Sequence, residues 1–244
     1  MYCTHTTHDC GGNAARLNQV PGDDIIQKQF FTTAKKGGCP VEHKQTLSDK
    51  LRKRFRGAGE TCARFLLKLG LTPNMVTIIG CAGHLGVFWA GWKGFFLLAS
   101  LLLFVFSVLD FLDGMMARMI SGGKGTKFGA VLDSALDRYA EALLYGGLMC
   151  HFAERGNMTV VLLCLAAIMG AFLVPYLRAK GELYGLDMTL GIMSKFERYF
   201  TMGIFLLVSL PIVGLAIVAV LSNFTAMQRL LHIKKHVGEA PEKK

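Results

Sequence analysis

Long runs of apolar residues dominate the chain from about residue 75 to residue 232, and short polar connections separate them. A helix needs roughly 20 apolar residues to cross the hydrocarbon core of a bilayer. The runs therefore predict six membrane-spanning helices, at 75–92, 94–119, 128–152, 158–181, 192–210 and 212–232. This pattern indicates an all-α integral membrane protein with one compact helical domain over residues 73–235.

A different pattern precedes the first run, over residues 48–72. Apolar residues recur there at helical spacing, and basic residues fill the opposite face. The apolar positions are Leu51, Phe55, Ala58, Cys62, Phe65 and Leu69, and the basic ones are Lys50, Arg52, Lys53, Arg54, Arg56, Arg64 and Lys68. A helix lying on an anionic membrane surface uses both faces, whereas nucleic-acid binding would use only the basic one. We therefore expect a juxtamembrane amphipathic helix and no nucleic-acid partner.

The two ends of the chain are polar and show no helical or strand period. Residues 1–47 are predicted to be a flexible leader or a segment added for expression, and residues 236–244 a polar tail. No cleavable signal peptide is expected, because the first segment has no continuous apolar core. It contains residue types that bind zinc, but their spacing matches no closed zinc motif. These residues are Cys3, His5, His8, Cys10, Cys39 and His43.

Composition and charge support the membrane interpretation. The chain is 52% hydrophobic and has a formal net charge of +10, a combination that water-soluble domains seldom show. Its seven cysteines are scattered, unlike the disulfide framework of a secreted module. Basic residues crowd the segment before the first span, the second and fourth connections and the C-terminal end. The positive-inside rule therefore predicts that both termini face the cytoplasm.

Four aspartates lie in or beside the second and third apolar runs, within DFLDGMMARMISGGKGTKFGAVLDSALDR at residues 110–138. On an ideal helix, Asp110 and Asp113 share one face. Asp133 and Asp137 share one face of the following helix. An ionised side chain deep in a bilayer costs about 2.5–3.5 kcal/mol on insertion scales, and like charges held together repel one another. Two helices can thus direct four carboxylates into one cavity, which requires positive charge among them.

The source of that positive charge is open at this point. Arg118 and Arg138 could neutralise part of the cluster, but carboxylate oxygens are also the ligands that Mg²⁺, Mn²⁺ and Ca²⁺ prefer. Gly114, Ala117 and Gly129 leave room for a ligand or for close helix packing. Each of these residues singly could serve only in packing or capping, whereas together they favour a metal site.

The spacing of these residues resembles the motif of the CDP-alcohol phosphotransferases, D-x-x-D-G-x-x-A-R followed by G-x-x-x-D-x-x-x-D. Its fixed positions are filled by Asp110, Asp113, Gly114, Ala117, Arg118, Gly129, Asp133 and Asp137. The one departure is the spacer 119–128, which is longer than the usual spacer of the family. The resemblance extends from about residue 48 to residue 235 and leaves the leader unexplained.

This resemblance implies an enzyme that transfers a phosphatidyl group at the cytoplasmic face of the cell membrane, as a homodimer. An acceptor hydroxyl attacks the β-phosphorus of CDP-diacylglycerol or an ether-lipid equivalent, and CMP leaves. Two divalent ions, Mg²⁺ or Mn²⁺, would stabilise charge and align the groups. By analogy Asp110, Asp113 and Asp133 are metal ligands, while Asp137 shares the second ion and acts as the general base. The implied contacts with the CDP moiety are Gly114, Ala117, Arg118 and Gly129, with Asn74 and Thr77 as further nucleotide contacts.

Basic residues in the second half of the chain favour a phosphorylated acceptor over a neutral one, because Arg and Lys bind phosphate dianions. They are Arg178, Lys180, Lys195, Arg198 and Arg229. The stretches YLRAKGELYGLDM, KFER and MQRLLH resemble the phosphatidylinositol phosphate synthase branch, which implies inositol 1-phosphate as the acceptor. Lys195 stands where that branch tends to have arginine. Each of these charges could also serve only to set the topology.

Three alternatives stay open. Within the same class, a phosphatidylglycerol phosphate synthase would use glycerol 3-phosphate as its acceptor. A divalent-cation transporter would also place carboxylates among membrane helices, but it predicts acidic residues deep in other spans, and the first, fifth and sixth spans have almost none away from their cytoplasmic ends. A catalytically silent scaffold would be expected to lack a motif aspartate, and none is missing.

Overall fold

The protein is described by a computed structural model over residues 47–122 and 125–237, and every element in these ranges is an α-helix. For residues 47–56 and 58 only the backbone is described. The predicted leader with its cysteine–histidine set and the predicted tail lie outside the described residues, except at Leu47, His236 and Val237. The helices are α1 Leu47–Lys68, α2 Pro73–Lys93, α3 Phe96–Ile120, α4 Lys127–Glu154, α5 Met158–Leu183, α6 Lys195–Leu207 and α7 Pro211–Val237.

The structure contains a helix at each of the six predicted spans, with ends that differ from the prediction by a few residues. Among the described residues, α2, α3, α5 and α7 are long and apolar enough to cross a membrane. Helix α4 carries the charged face that includes Asp133 and Asp137. Helix α6 has 13 residues. At 1.5 Å per residue it is about 20 Å long, shorter than the hydrocarbon core of about 30 Å. The described part of the chain is thus all-helical and has four helices that could cross a membrane, and the count of six spans stays a prediction.

Local sequence accounts for the helix ends nearest the predicted site. Thr72 caps α2 by accepting a hydrogen bond from the Met75 amide, and Pro73 occupies the first turn, where its missing N–H costs nothing. Helix α6 begins with a capping box in which Ser194 and Glu197 satisfy each other's backbone amides. These caps fix the points at which α2 and α6 enter the bundle.

Helices α2 to α7 form a closed ring. Each packs against the next in the order α2, α3, α6, α7, α5 and α4, and α4 returns to α2. The interior is filled by residues such as Tyr145 and Leu148 from α4, Met202 from α6 and Leu215 from α7. Side chains on the inward faces of these helices therefore meet inside one bundle.

Glycine allows α2 and α4 to pack in backbone contact. A Cβ atom built on Gly147 would lie 2.4 Å from the carbonyl oxygen of Phe88 and 2.9 Å from its Cα. Because these neighbours are backbone atoms, no side-chain rotation can relieve such a clash. Only glycine fits at position 147 with the helices at this separation.

We expect Gly147→Ala to lower the free energy of unfolding by about 1–3 kcal/mol, because the two helices must move apart. Gly146→Ala is the matched control, since its Cβ would lie 3.6 Å from a ring atom of Phe88, an ordinary contact distance. Thermal unfolding in detergent should show a lower midpoint for Gly147→Ala alone. Equal midpoints for the two variants would contradict the close approach.

Helix α1 packs against α3 on the outside of the ring. Its buried side is formed by Ala63 with Leu66 and Leu67, which contact a cluster on α3 that includes Leu112 and Met115. Of the predicted apolar face, the described members Cys62, Phe65 and Leu69 are instead exposed. The described part of α1 thus has one apolar side on α3 and another available to the membrane surface.

Candidate active site

Three of the four motif aspartates converge inside the bundle. One carboxylate oxygen from each of Asp110, Asp133 and Asp137 lies within 4.8 Å of the others, and all three side chains are half-buried. Asp110 comes from α3, and the other two come from successive turns of one face of α4. The face geometry expected from the four-residue spacing therefore brings these oxygens close enough to share a cation.

Asp113, the fourth aspartate, is the most buried of the set, with 5% of its surface exposed. It lines the same cleft as Asp110 and Asp137, together with Thr77 from α2. Its Oδ2 atom has no hydrogen-bond partner among the described residues. A buried carboxylate oxygen without a donor is costly, so this atom is suited to a ligand that the protein itself does not supply.

Lys195 places its ammonium group inside the carboxylate cluster. Its Nζ donates to Asp110 Oδ2 at 2.7 Å and to Asp137 Oδ1 at 2.6 Å. The residue is the first of α6, directly after the Ser194 cap. The same Nζ lies 5.4 Å from the centre of the Tyr199 ring. One cation predicted from sequence to bind the acceptor phosphate thus contacts two of the predicted metal ligands.

A buried ion pair lies on α4 one helical turn beyond Asp137. Arg198 donates to Glu141 Oε1 from Nε at 2.9 Å and from Nη2 at 2.5 Å, and from Nη1 to the Met193 carbonyl at 3.3 Å. Each of the two charged residues is only 2% exposed. Glu141 was missed in the sequence, although it continues the four-residue spacing of Asp133 and Asp137. That spacing was the available signal.

His84 is a second residue that sequence reasoning missed. It lies in the apolar helix α2, is buried, and lines the cleft beside Asp110 and Lys195. Its Nδ1 is 2.8 Å from the Gly80 carbonyl oxygen, which can only accept, so Nδ1 carries the proton. Nε2 has no partner among the described residues and is left as an acceptor facing the interior. A lone histidine in an apolar run gave no signal of this position.

The connection between α5 and α6 is fastened to α7. Arg229 donates from Nε to the Leu190 carbonyl at 3.0 Å and from Nη1 to the Val174 carbonyl at 2.6 Å. Thr225 Oγ1 accepts from the amides of Ile192 at 3.3 Å and Met193 at 3.2 Å. The guanidinium of Arg229, another residue of the predicted phosphate set, is thus bonded to backbone carbonyls.

The other two residues of the predicted phosphate set are exposed near the end of α5. Arg178 forms an ion pair with Glu182, with 2.8 Å between Nε and Oε1. Lys180 has its Nζ 5.8 Å from the centre of the Tyr176 ring. Neither has a described contact with the carboxylate cluster.

The residues predicted to contact CDP lie at the N-terminal ends of α2 and α4 and in the last turns of α3. A Cβ on Gly129 would lie 3.3 Å from Asn74 Oδ1 and 2.8 Å from Thr126 Oγ1, so glycine permits a close approach of these helix ends. Thr77 is buried one turn further along α2. On α3, a Cβ on Gly114 would lie 3.5 Å from Nη1 of Arg118, so this arginine extends back over the glycine.

The long spacer folds back on the end of α3. The Ser121 hydroxyl donates to the Ala117 carbonyl at 2.6 Å and accepts from the Gly125 amide at 2.5 Å. Gly122 and Gly125 have φ values of 64° and 67°, a left-handed backbone that favours glycine. Residues 123 and 124 are outside the described range. The described glycines of the spacer, Gly122 and Gly125, thus both adopt the left-handed backbone.

This geometry agrees with what comparison with known proteins finds. The family model described as CDP-alcohol phosphatidyltransferase matches residues 70–229. The chain belongs to the CDP-alcohol phosphatidyltransferase family. The matched range contains the whole carboxylate motif and the basic residues after it, so the enzyme class is favoured over the transporter and scaffold alternatives.

Relatives of this CDP-alcohol phosphatidyltransferase include inositol phosphate lipid synthases. One from Pyrococcus horikoshii, named archaetidylinositol phosphate synthase, is 33% identical over 77% of this chain and 97% of the relative. A crystal structure of Mycobacterium tuberculosis phosphatidylinositol phosphate synthase with CDP-DAG bound has a TM-score of 0.67 and 29% identity, covering 75% of this chain and 95% of that chain. A second structure of that enzyme, with manganese and citrate, has a TM-score of 0.66 and 30% identity, covering 75% and 90% of the two chains.

Proposed function

We propose that this protein transfers the phosphatidyl group of CDP-diacylglycerol, or of an ether-lipid equivalent, to a hydroxyl of inositol 1-phosphate. The hydroxyl oxygen of the acceptor forms a bond to the β-phosphorus, the bond between that phosphorus and the oxygen of the departing CMP breaks, and the hydroxyl proton is released. The observation that carries the proposal is the convergence of Asp110, Asp133 and Asp137 in a family member whose named relatives make inositol phosphate lipids. The Pyrococcus relative supports keeping an ether lipid as the alternative donor.

The carboxylate cluster fits a pair of divalent ions, Mg²⁺ or Mn²⁺. The donor set consists of carboxylate oxygens, which these hard cations prefer, and it includes the unpartnered Oδ2 of Asp113. We propose that Asp110, Asp113, Asp133 and Asp137 hold the ions. When bound, such ions supply positive charge to the transferring phosphoryl group and align the attacking and leaving oxygens. The manganese complex of the Mycobacterium enzyme supports this ligand class.

Asp137 is the proposed general base. It is half-buried on the inward face of α4, where its Oδ1 already accepts a hydrogen bond from Lys195. A carboxylate in this position can accept the proton of a hydroxyl group that approaches within hydrogen-bond distance.

The proposed nucleotide site has two sides. One side is formed by Asn74 and Gly129 at the adjoining helix ends, with Thr77 one turn further along α2. Gly114, Ala117 and Arg118 on α3 form the other.

The acceptor site is proposed at the cytoplasmic ends of α5, α6 and α7. Arg178 and Lys180 are exposed and can meet a phosphate that arrives from solvent, while Lys195 follows them in the chain and contacts two of the carboxylates. Arg198 and Arg229 are buried, and their bonds to Glu141 and to the α5–α6 connection support the walls of this site. Together these five residues supply the positive charge that a phosphorylated polyol requires.

We further propose that all six ring helices span the membrane in a homodimer, with both termini and the active site on the cytoplasmic side. The asymmetric distribution of basic residues supports this orientation. The closed ring supports the six spans, because the short α6 and the charged α4 pack between the four apolar helices. Their polar groups then face the bundle interior, where polar residues in membranes are tolerated.

The acceptor is tested by supplying the purified protein in lipid with CDP-diacylglycerol, Mg²⁺ or Mn²⁺, and one alcohol at a time, while CMP release is measured. We expect turnover with inositol 1-phosphate to exceed turnover with glycerol 3-phosphate. Unphosphorylated inositol is the matched control and should support little turnover, because it lacks the dianion that the basic residues recognise. Selective turnover with glycerol 3-phosphate would assign the protein to phosphatidylglycerol phosphate synthesis instead.

A further inference from the structure

We propose that Lys195 is a tethered counter-cation that divalent metal must displace from Asp110 and Asp137. The lysine would thereby set the metal concentration at which the carboxylate cluster fills. This inference rests on the proposed function in one respect, because it takes the converging aspartates as the metal-binding groups. The new element is a cation of the protein itself that competes with the metal for these carboxylates.

The competition follows from the distances. The ammonium nitrogen lies 2.7 Å from Asp110 Oδ2 and 2.6 Å from Asp137 Oδ1, which are two of the three carboxylates that converge. A magnesium ion bound by the same oxygens would lie about 2.0–2.1 Å from each. Two cations bound to the same oxygen atoms would lie close together, and their like charges would repel strongly in the half-buried cleft. Binding of a metal ion to these oxygen atoms therefore competes with binding of the ammonium group.

Lys195 is suited to leave the cluster without unfolding its surroundings. The capping box of Ser194 and Glu197 fixes its backbone at the start of α6, while its four-carbon side chain can change rotamer. The Tyr199 ring centre lies 5.4 Å from Nζ, within the range of a cation–π contact, and the side chain is 26% exposed. A displaced ammonium therefore has an aromatic face beside it and solvent within reach.

The neighbouring cations differ from Lys195 in this respect. Arg198 is bonded to Glu141 and to a backbone carbonyl, and Arg229 is bonded to two backbone carbonyls. Both are buried. An arginine at position 195 would place a planar, two-pronged donor against the carboxylates, which binds them more firmly than the point charge of lysine. Lysine at this position gives a counter-cation that metal can replace.

The test is a titration of the full-length protein in detergent with Mn²⁺, followed by the electron paramagnetic resonance signal of the free ion. Lys195→Met is expected to bind Mn²⁺ about tenfold more tightly than the unaltered protein, because two charge-assisted hydrogen bonds no longer have to be broken. Lys195→Arg is expected to bind Mn²⁺ more weakly than the unaltered protein. Lys93→Met removes the same charge at the far end of α2 and should leave the affinity unchanged.

Thermal unfolding provides a second measurement on the same proteins. Without metal, Lys195→Met should unfold at a lower temperature than the unaltered protein, because the carboxylates lose their counter-cation. Saturating Mn²⁺ should then raise its midpoint by more than it raises that of the unaltered protein. If Lys195→Met bound Mn²⁺ with equal or lower affinity, or if Lys195→Arg bound it more tightly, the proposal would be wrong. The arginine variant keeps the charge and so decides the question even if the methionine variant does not fold.

These titrations contain no nucleotide lipid and no acceptor, so their result does not depend on the proposed reaction. A protein that released CMP with none of the alcohols but showed opposite affinity changes for the methionine and arginine variants would contradict the proposed function and support the role of Lys195. A protein that used inositol 1-phosphate but showed no affinity change would support the proposed function and contradict the role of Lys195.

Discussion

Asp137→Asn is expected to reduce CMP release by about 10²–10⁴-fold, the contribution usually made by a positioned general base. The asparagine side chain has nearly the same shape as aspartate, but it cannot accept the proton of the acceptor hydroxyl. It also removes a negative charge from the cluster formed with Asp110 and Asp133. The initial rate of CMP release at saturating CDP-diacylglycerol and inositol 1-phosphate is the measurement.

Glu154→Gln is the matched control for this change. It neutralises a carboxylate on the same helix, at the end of α4 remote from the cluster, and its amide oxygen can still accept the bond that Glu154 receives from Trp92. This variant should retain the rate of the unaltered protein. Full activity in Asp137→Asn would exclude Asp137 as the base, whatever its contribution to metal binding.

Arg198→Met is expected to lower the free energy of unfolding by about 3–5 kcal/mol, because it leaves the Glu141 carboxylate buried without its partner. Both members of the pair are nearly inaccessible to solvent, and the arginine donates twice to one carboxylate oxygen. Water cannot replace those two bonds without opening the bundle. The expected result is a large fall in the unfolding midpoint, measured in detergent.

Two further variants separate burial from charge. The double variant Glu141→Leu with Arg198→Met removes both charges and should recover most of the lost stability, since replacing a buried ion pair by apolar groups is often neutral. Arg178→Met breaks the exposed pair with Glu182 and should cost no more than about 1 kcal/mol. A double variant as unstable as Arg198→Met alone would contradict the role assigned to the pair.

The helices and the carboxylate cluster could be predicted because both depend on local spacing. Apolar runs predicted helices at the right places, and the four-residue interval between Asp133 and Asp137 predicted that both point the same way. The motif then identified the family. These features need only the geometry of one helix, or of two neighbouring helices, to be read correctly.

The partners of the basic residues could not be predicted in the same way. Arg198 and Glu141 are separated by 57 positions, and their pairing depends on how α4 and α6 are arranged in the ring. Lys195 and Arg198 were both predicted to bind the acceptor phosphate, yet Lys195 contacts the carboxylates and Arg198 lies in the buried ion pair. The side of α1 that packs on α3 was also not predicted. It includes the small residue Ala63, which is buried against α3 but adds little to the hydrophobic pattern of the sequence.

The attachment of the α5–α6 connection to α7 has a consequence for biosynthesis. Thr225 and Arg229 lie near the C-terminal end of the last helix, yet they bind the backbone of Leu190, Ile192 and Met193. During translation, the connection leaves the ribosome more than 30 residues before these anchors do. The pocket beside α6 can therefore take its final form only after the ribosome has released the end of α7. A nascent chain in transit thus has all four aspartates before the connection beside them is fixed in place.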